Sequence, residues 1–203
     1  MADYQENNID FLWQSFLKGN DKCFSLIYQQ SINGLLLYGT RFTSDRELLH
    51  DCIQEVFTNL FLKKKKLGDK IKSLKPYLFV AVRNEVIKRI VKENKYRFVP
   101  INEINNAMDF DVEYSTEQKI LKVENSIEIN KKLTAAVNSL APRQKEIVYL
   151  RFEEELEYSD IAVIMKISVE SARKSMHRTI VSLRNLLDPR SFQIFLLLMV
   201  KKD

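Results

Sequence analysis

Glycine and proline are scarce in these 203 residues, four of each, and the chain has two cysteines and one tryptophan. So few breakers, with no sustained alternation of apolar and polar residues, argue against any sheet-rich fold. Cys23 and Cys52 lie far apart with no CxxC spacing, which points to buried thiols in a reducing compartment rather than to a disulfide scaffold. His50 and Cys52 stand two positions apart in a helical pattern, where side chains diverge, so no metal is expected. The start, MADYQENNID, lacks the basic region and apolar core of a signal peptide. The longest apolar run, Ile194 to Val200, falls far short of the ~20 residues that span a bilayer. The expectation is a cytoplasmic, all-α protein.

What is present is enough apolar material for a core, 45% of residues, and a net charge of +5 that is unevenly spread. Residues 1–60 carry 4 Lys/Arg against 8 Asp/Glu, and residues 61–97 carry 13 against 3. Residues 98–119 return to 1 against 5, residues 120–165 hold 6 against 8, and residues 166–203 hold 8 against 3. Two basic blocks, each following an acidic or neutral one, predict two polyanion contacts on one chain.

Along the N-terminal part, Ile9, Leu12, Trp13, Phe16 and Leu17 make an amphipathic helix that Gly19 and Asn20 stop. Phe24, Ile27, Tyr28 and Ile32 make a second helix, and a third short apolar segment runs from Leu35 to Phe42. Ser44 and Glu47 read as a capping box before the periodic run Leu49, Cys52, Ile53, Val56, Phe57, Leu60, Phe61. Opposite that run, Asp51, Gln54 and Glu55 form an acidic stripe, which taken alone also fits a solvated face. Lys63 to Lys70 reads as a basic loop. Pro76 suits the first turn of the next helix, where Leu78, Phe79, Val82, Val86 and Ile90 are the buried stripe. Its other side stacks Asn84, Lys88, Lys92 and Lys95, one amide in line with three ammonium groups. Such a line can meet a base edge and a phosphate backbone, or it can be a solvated lysine face.

From Phe98 to Thr116 the periodicity lapses into an acidic linker. It returns at Ile120 and continues through Ile127, Leu133, Val137 and Leu140, after which Pro142 opens a helix with Ile147, Val148, Leu150 and Arg151. Tyr158 to Arg184 reads as helix, tight turn, helix. Ile161, Ala162 and Met165 share one side, Lys166, Ile167 and Ser168 make the turn, and Val169, Ala172, Met176, Ile180 and Leu183 recur inward. Ser168 is the expected N-cap. The outer side presents Glu170, Arg173, Lys174 and His177, with Arg178 at its margin. This is a helix-turn-helix pattern, with a helical hairpin bearing a solvated basic face as the alternative. The apolar tail, Phe192 to Val200, packs as a short helix on the C-terminal domain or serves as a docking site.

Three motifs in order, DCIQEVF at Asp51 to Phe57, YLFVAVRN at Tyr77 to Asn84, and the run from Leu140 and Pro142 to Arg178, resemble the extracytoplasmic-function (ECF) sigma factors. These are the small two-domain initiation subunits of bacterial RNA polymerase, and the resemblance covers about Phe24 to Leu187. It implies an N-terminal helical domain at 1–97 (sigma region 2), a linker at 98–119, and a C-terminal helical domain at 120–203 (sigma region 4). The helix-turn-helix would occupy about 158–184 and the apolar tail 192–200.

The resemblance also assigns roles. Asp51, Gln54 and Glu55 become the contact with core RNA polymerase, with Phe57 as a core residue beneath them. Tyr77, Asn84, Lys88, Lys92 and Lys95 become the melted-promoter face, and Lys63 to Leu74 the specificity loop. Arg173 and Lys174, with Ser171 and His177, become duplex readers, while Arg143, Arg178 and the helix start at Ser168 hold phosphates. The implied partners are core polymerase, promoter DNA and an anti-sigma factor that could hold the protein at the inner membrane. The free protein is expected to be a monomer without catalytic residues, metal, cofactor or small-molecule substrate. Glutamate and lysine replace glycines usual in the family at Glu155 and Lys166, the latter in the tight turn, so a left-handed residue in that turn would carry strain. Lys88 stands where an acid is common and Val91 where arginine is common.

Two rival functions differ in what they leave unexplained. A stand-alone helix-turn-helix regulator acting on duplex DNA accounts for neither the first two motifs nor the +10 block at 61–97. A recombinase or nuclease needs a nucleophile among arginines or clustered carboxylates, and residues 1–60 hold only Arg41 and Arg46.

Overall fold

A computed structural model describes residues 8–68, 70–95 and 126–200, and every regular element among them is helical. The chain divides into two compact units, Met1–Met108 and Asp109–Asp203. The stretch expected as a linker, 98–119, lies outside the described residues, as do Ile120 and the side chains of Ile127 and Lys95.

In the first unit, α1 (Ile9–Leu17) starts where Asn8 Oδ1 accepts hydrogen bonds from the amides of Asp10 and Phe11, at 2.9 and 3.2 Å. It stops at Gly19, whose φ of 103° only glycine adopts readily. Leu12, Trp13 and Phe16 are buried along its inner side. The expected second helix and third segment are one helix, α2 (Lys22–Gly39). Gly34 inside it costs about 1 kcal/mol against alanine, and the burial of Ile27, Leu35 and Tyr38 on one side overrides that cost. Gly39 lies so close to α3 that a Cβ there would overlap the Leu49 side chain.

Helix α3 (Arg46–Leu62) corrects the expected capping box. Its cap is Asp45, in extended backbone, and Asp45 Oδ1 accepts from Leu48 N at 3.0 Å. Part of the basic loop is also helical, as α4 (Lys64–Leu67). Lys64 fixes it, with Nζ 4.1 Å from the Phe16 ring centroid and 3.3 Å from Asp21 Oδ1. Helix α5 (Leu74–Lys95) has Pro76 in its first turn and buries Leu78, Phe79, Val82 and Val86, with Ile90 half-buried. Asp10 caps it from α1, accepting from Leu74 N at 2.6 Å and Ser73 Oγ at 3.1 Å.

The second unit comprises α6 (Ser126–Asn138), α7 (Pro142–Val148), a π-helical turn (Tyr149–Glu153), α8 (Tyr158–Met165), α9 (Val169–Leu186) and α10 (Pro189–Val200). Leu133, Val137, Leu140, Val148, Leu183 and Leu187 form a core that Phe195 of α10 joins, 3% exposed. The apolar tail is therefore a helix packed within this unit. Ser191 fixes its start, donating through N and Oγ to the Asp188 carboxylate at 3.0 and 2.7 Å. These bonds hold the Asp188 carboxyl below its ordinary pKa.

Both sites where the family usually has glycine are left-handed, Glu155 at φ 56° and Lys166 at φ 55°. Lys166 closes α8 as a left-handed C-cap, with Ile167 N donating to Ala162 O at 3.0 Å. Glu155 precedes Leu156, whose N donates to Leu150 O at 3.0 Å across the π-helical turn. The strain expected in the turn at Lys166 is present and recurs at Glu155, each left-handed residue costing about 1–2 kcal/mol.

Candidate polymerase and nucleic-acid faces

Along α3, Leu49, Cys52, Ile53, Val56 and Leu60 point into the core, so helical geometry turns Asp51, Gln54 and Glu55 outward, where all three are exposed. Phe57 is 4% exposed and lies beneath the stripe rather than on it. Glu55 is steadied one turn on, where Asn59 Nδ2 donates to its Oε1 at 2.7 Å, and Lys63 Nζ donates to Asn59 Oδ1 at 2.5 Å. Beside Gln54 an apolar hollow opens between α2 and α3, lined by Phe24, Tyr28, Phe57, Phe61 and Leu62. Cys52 is fully buried, and burial pushes its thiol up to about 11, while exposed His50 points elsewhere.

Asn84, Lys88 and Lys92 are exposed on α5, and Tyr77 is half-buried, its hydroxyl pKa raised by burial. Glu85 and Arg89, which sequence reasoning passed over, organise this face. Glu85 Oε2 is 3.0 Å from Lys88 Nζ, and its Oε1 is 3.5 Å from Arg89 Nε. Arg89 Nη1 in turn lies 3.4 Å from Asp51 Oδ2, joining α5 to the acidic stripe. The Glu85 to Arg89 spacing of four was the one signal available in the sequence.

In the second unit the turn Lys166, Ile167, Ser168 presents α9 as expected. Ser168 Oγ accepts from Ser171 N at 3.1 Å, which caps the helix, and donates to Ser171 Oγ at 2.8 Å. Ala172, Met176 and Leu183 are buried and Ile180 is half-buried. Val169, expected inward, is 41% exposed at the first turn of α9. Ile164, absent from the expected stripe, is fully buried. Arg173, Lys174, His177 and Arg178 are exposed on α9, and Arg143 is exposed at the start of α7. Lys174 Nζ pairs with Glu170 Oε1 at 2.6 Å. Arg173 instead lies over the Tyr158 ring, 5.6 Å from its centroid, a contact that spacing could not disclose.

The first unit sets an acidic helix stripe beside a basic helix face, and the second carries a helix-turn-helix, the architecture of a DNA-binding protein. Residues 27–96 match the family Sigma-70 region 2, and residues 136–185 match Sigma-70, region 4. The chain is 25% identical over 152 residues to the ECF RNA polymerase sigma factor SigM of Bacillus subtilis (strain 168), covering 75% of this chain and 87% of that protein. The chain belongs to the sigma-70 family and, within it, to the extracytoplasmic-function group. Its role is that of a transcription initiation factor, with binding to RNA polymerase and DNA. No helix among the described residues is long and apolar enough to cross a membrane.

Proposed function

We propose that the chain binds core RNA polymerase through Asp51, Gln54 and Glu55, with Phe57 as the packed floor under them, and directs the enzyme to promoters with two separate readers. The observation that carries this reading is the pairing of an exposed acidic stripe on α3 with an exposed line of Asn84, Lys88 and Lys92 on α5, within the residues that match sigma region 2. Acidic groups suit a basic protein surface, and an amide flanked by ammonium groups suits an unstacked single strand.

In the first reader, Asn84 hydrogen-bonds the edge of an extruded base while Lys88, Lys92 and Lys95 follow the phosphates, with Tyr77 supporting the helix start. The basic segment from Lys63 to Leu74 borders the same strand. In the second, Arg173 presents a guanidinium fork to guanine O6 and N7, a contact worth about 1–3 kcal/mol of discrimination. Lys174, Ser171 and His177 flank it, while Arg143, Arg178 and the α9 start at Ser168 hold phosphates. Because Lys174 is paired with Glu170 and the Ser171 hydroxyl with Ser168, Arg173 is the principal reader of the set.

The boundaries that go with this reading are 1–97 and 120–203, joined by an acidic segment at 98–119 that suits a channel built for RNA. The free chain is a cytoplasmic monomer without covalent chemistry, held inactive by an anti-sigma factor. Permanganate reactivity of the melted element tests the first reader. Wild-type holoenzyme opens the duplex, Asn84→Ala opens it weakly, and a template mismatched across that element relieves the defect. An Asn84→Ala holoenzyme that opens duplex promoters as well as wild type contradicts the assignment.

A further inference from the structure

Tyr158 is the first residue of α8, and its half-buried ring carries two guanidinium groups. Arg151 Cζ lies 5.3 Å from the ring centroid and Arg173 Cζ 5.6 Å from it. The two cations differ in what else they do. Arg151 Nη1 donates to Leu156 O at 3.0 Å and to Glu157 Oε1 at 3.1 Å, which ties this group to the loop before α8 and gives it an ion-pair partner. Arg173 is exposed on α9 and makes no ion pair among the described residues. The neighbouring cation, Lys174, pairs with Glu170 at 2.6 Å.

A ring face attracts a guanidinium through its quadrupole and leaves the N–H groups at the guanidinium edge available, whereas a carboxylate would occupy them. Ordering a long side chain before its ligand arrives removes a cost that would otherwise be met on binding. We infer that Tyr158 is a positioning residue for Arg173. Its ring holds the guanidinium in place ahead of the duplex and so sets how sharply the protein distinguishes the guanine that Arg173 reads. The inference rests on the reading of Arg173 given above.

The test uses the full chain bound to core polymerase. It is titrated against a duplex that this holoenzyme has selected from a library randomised in the upstream element, and against single guanine-to-adenine changes in that duplex. Arg173→Ala is expected to lower the guanine preference at one position by about fivefold or more. Tyr158→Phe, which keeps the ring, stays within about twofold of wild type. Tyr158→Leu loses about two- to fivefold of the preference at that same position and has no further effect once Arg173 is alanine. Phenylalanines bearing one, two or three fluorines at position 158 keep the ring's shape while weakening its face, and the preference falls stepwise along that series.

A flat fluorine series beside an intact Arg173→Ala effect overturns the inference, as does a Tyr158→Leu loss that persists in the Arg173→Ala background and so marks a merely structural role. If Arg173→Ala changes neither affinity nor preference, the base-reading role of Arg173 is what fails, and the positioning role falls with it.

Discussion

Arg89 on α5 lies 3.4 Å from Asp51 on α3, so the candidate polymerase stripe and the candidate melting helix share an ion pair. With Asp51 66% exposed and Arg89 31% exposed, the pair is screened and stabilises the fold by less than about 1 kcal/mol. Its interest lies in what competes for Asp51.

Asp51→Asn and Glu55→Gln are each expected to weaken binding to core polymerase about tenfold or more, since a hydrogen bond to a charged group contributes roughly 1.5–3 kcal/mol. The thermal midpoint should shift by no more than a few degrees. Fluorescence anisotropy of labelled chain with core enzyme measures the first, and thermal melting the second. Unchanged affinity in both variants contradicts the stripe's assignment.

Gly39→Ala puts a methyl group where the Leu49 side chain already sits. Overpacking of this kind costs about 1–3 kcal/mol. Urea unfolding should show a lower midpoint with an unchanged slope, and Gly39→Ala combined with Leu49→Ala should recover part of the loss against Leu49→Ala alone.

Lys166→Gly and Glu155→Gly should each stabilise the second unit, because both residues hold φ near 55°. The net gain is at most about 1 kcal/mol per site, after allowing for the larger freedom of glycine when unfolded. Alanine at either position should give no such gain, since its Cβ meets the same clash. Thermal melts of the four variants check this.

Cys52 gives a signature in alkali. Burial, with smaller contributions from Glu85, Asp51 and Glu93, raises its thiol from 9.0 to about 11 against the opposing pull of Arg89. A raised pKa means that the folded state keeps the proton where the unfolded chain loses it. The stability is therefore complete below pH 9 and declines as pH rises through about 11. The pH dependence of unfolding should be steeper for wild type than for Cys52→Ala in that window and parallel below it. Equal slopes above pH 9 contradict the assignment.

Periodicity made the helices legible wherever one face is buried, as with Leu49, Cys52, Val56 and Leu60 in α3 or Ala172, Met176 and Leu183 in α9. The same arithmetic turned Asp51, Gln54, Glu55, Arg173 and His177 outward, and all of them are exposed. Local chemistry was less decisive. Ser44 and Asp45 are both good caps, and the backbone selects Asp45. Contacts between elements left no trace in spacing. Asp10 caps α5 from more than sixty positions away, and the ring of Tyr158 reaches Arg173 only because α8 and α9 fold against each other. Strain at Lys166 was foreseeable from the missing glycine, whereas the π-helical turn before Glu155 was not.

Run-off transcription tests the central claim most directly. Core RNA polymerase that lacks any other sigma factor is mixed with the purified chain and a library of genomic fragments. The account predicts discrete transcripts from a small set of promoters sharing an upstream duplex element and a downstream melted element, with none from core enzyme alone. No promoter-specific transcript, together with failure of the chain to co-purify with core polymerase, would contradict it.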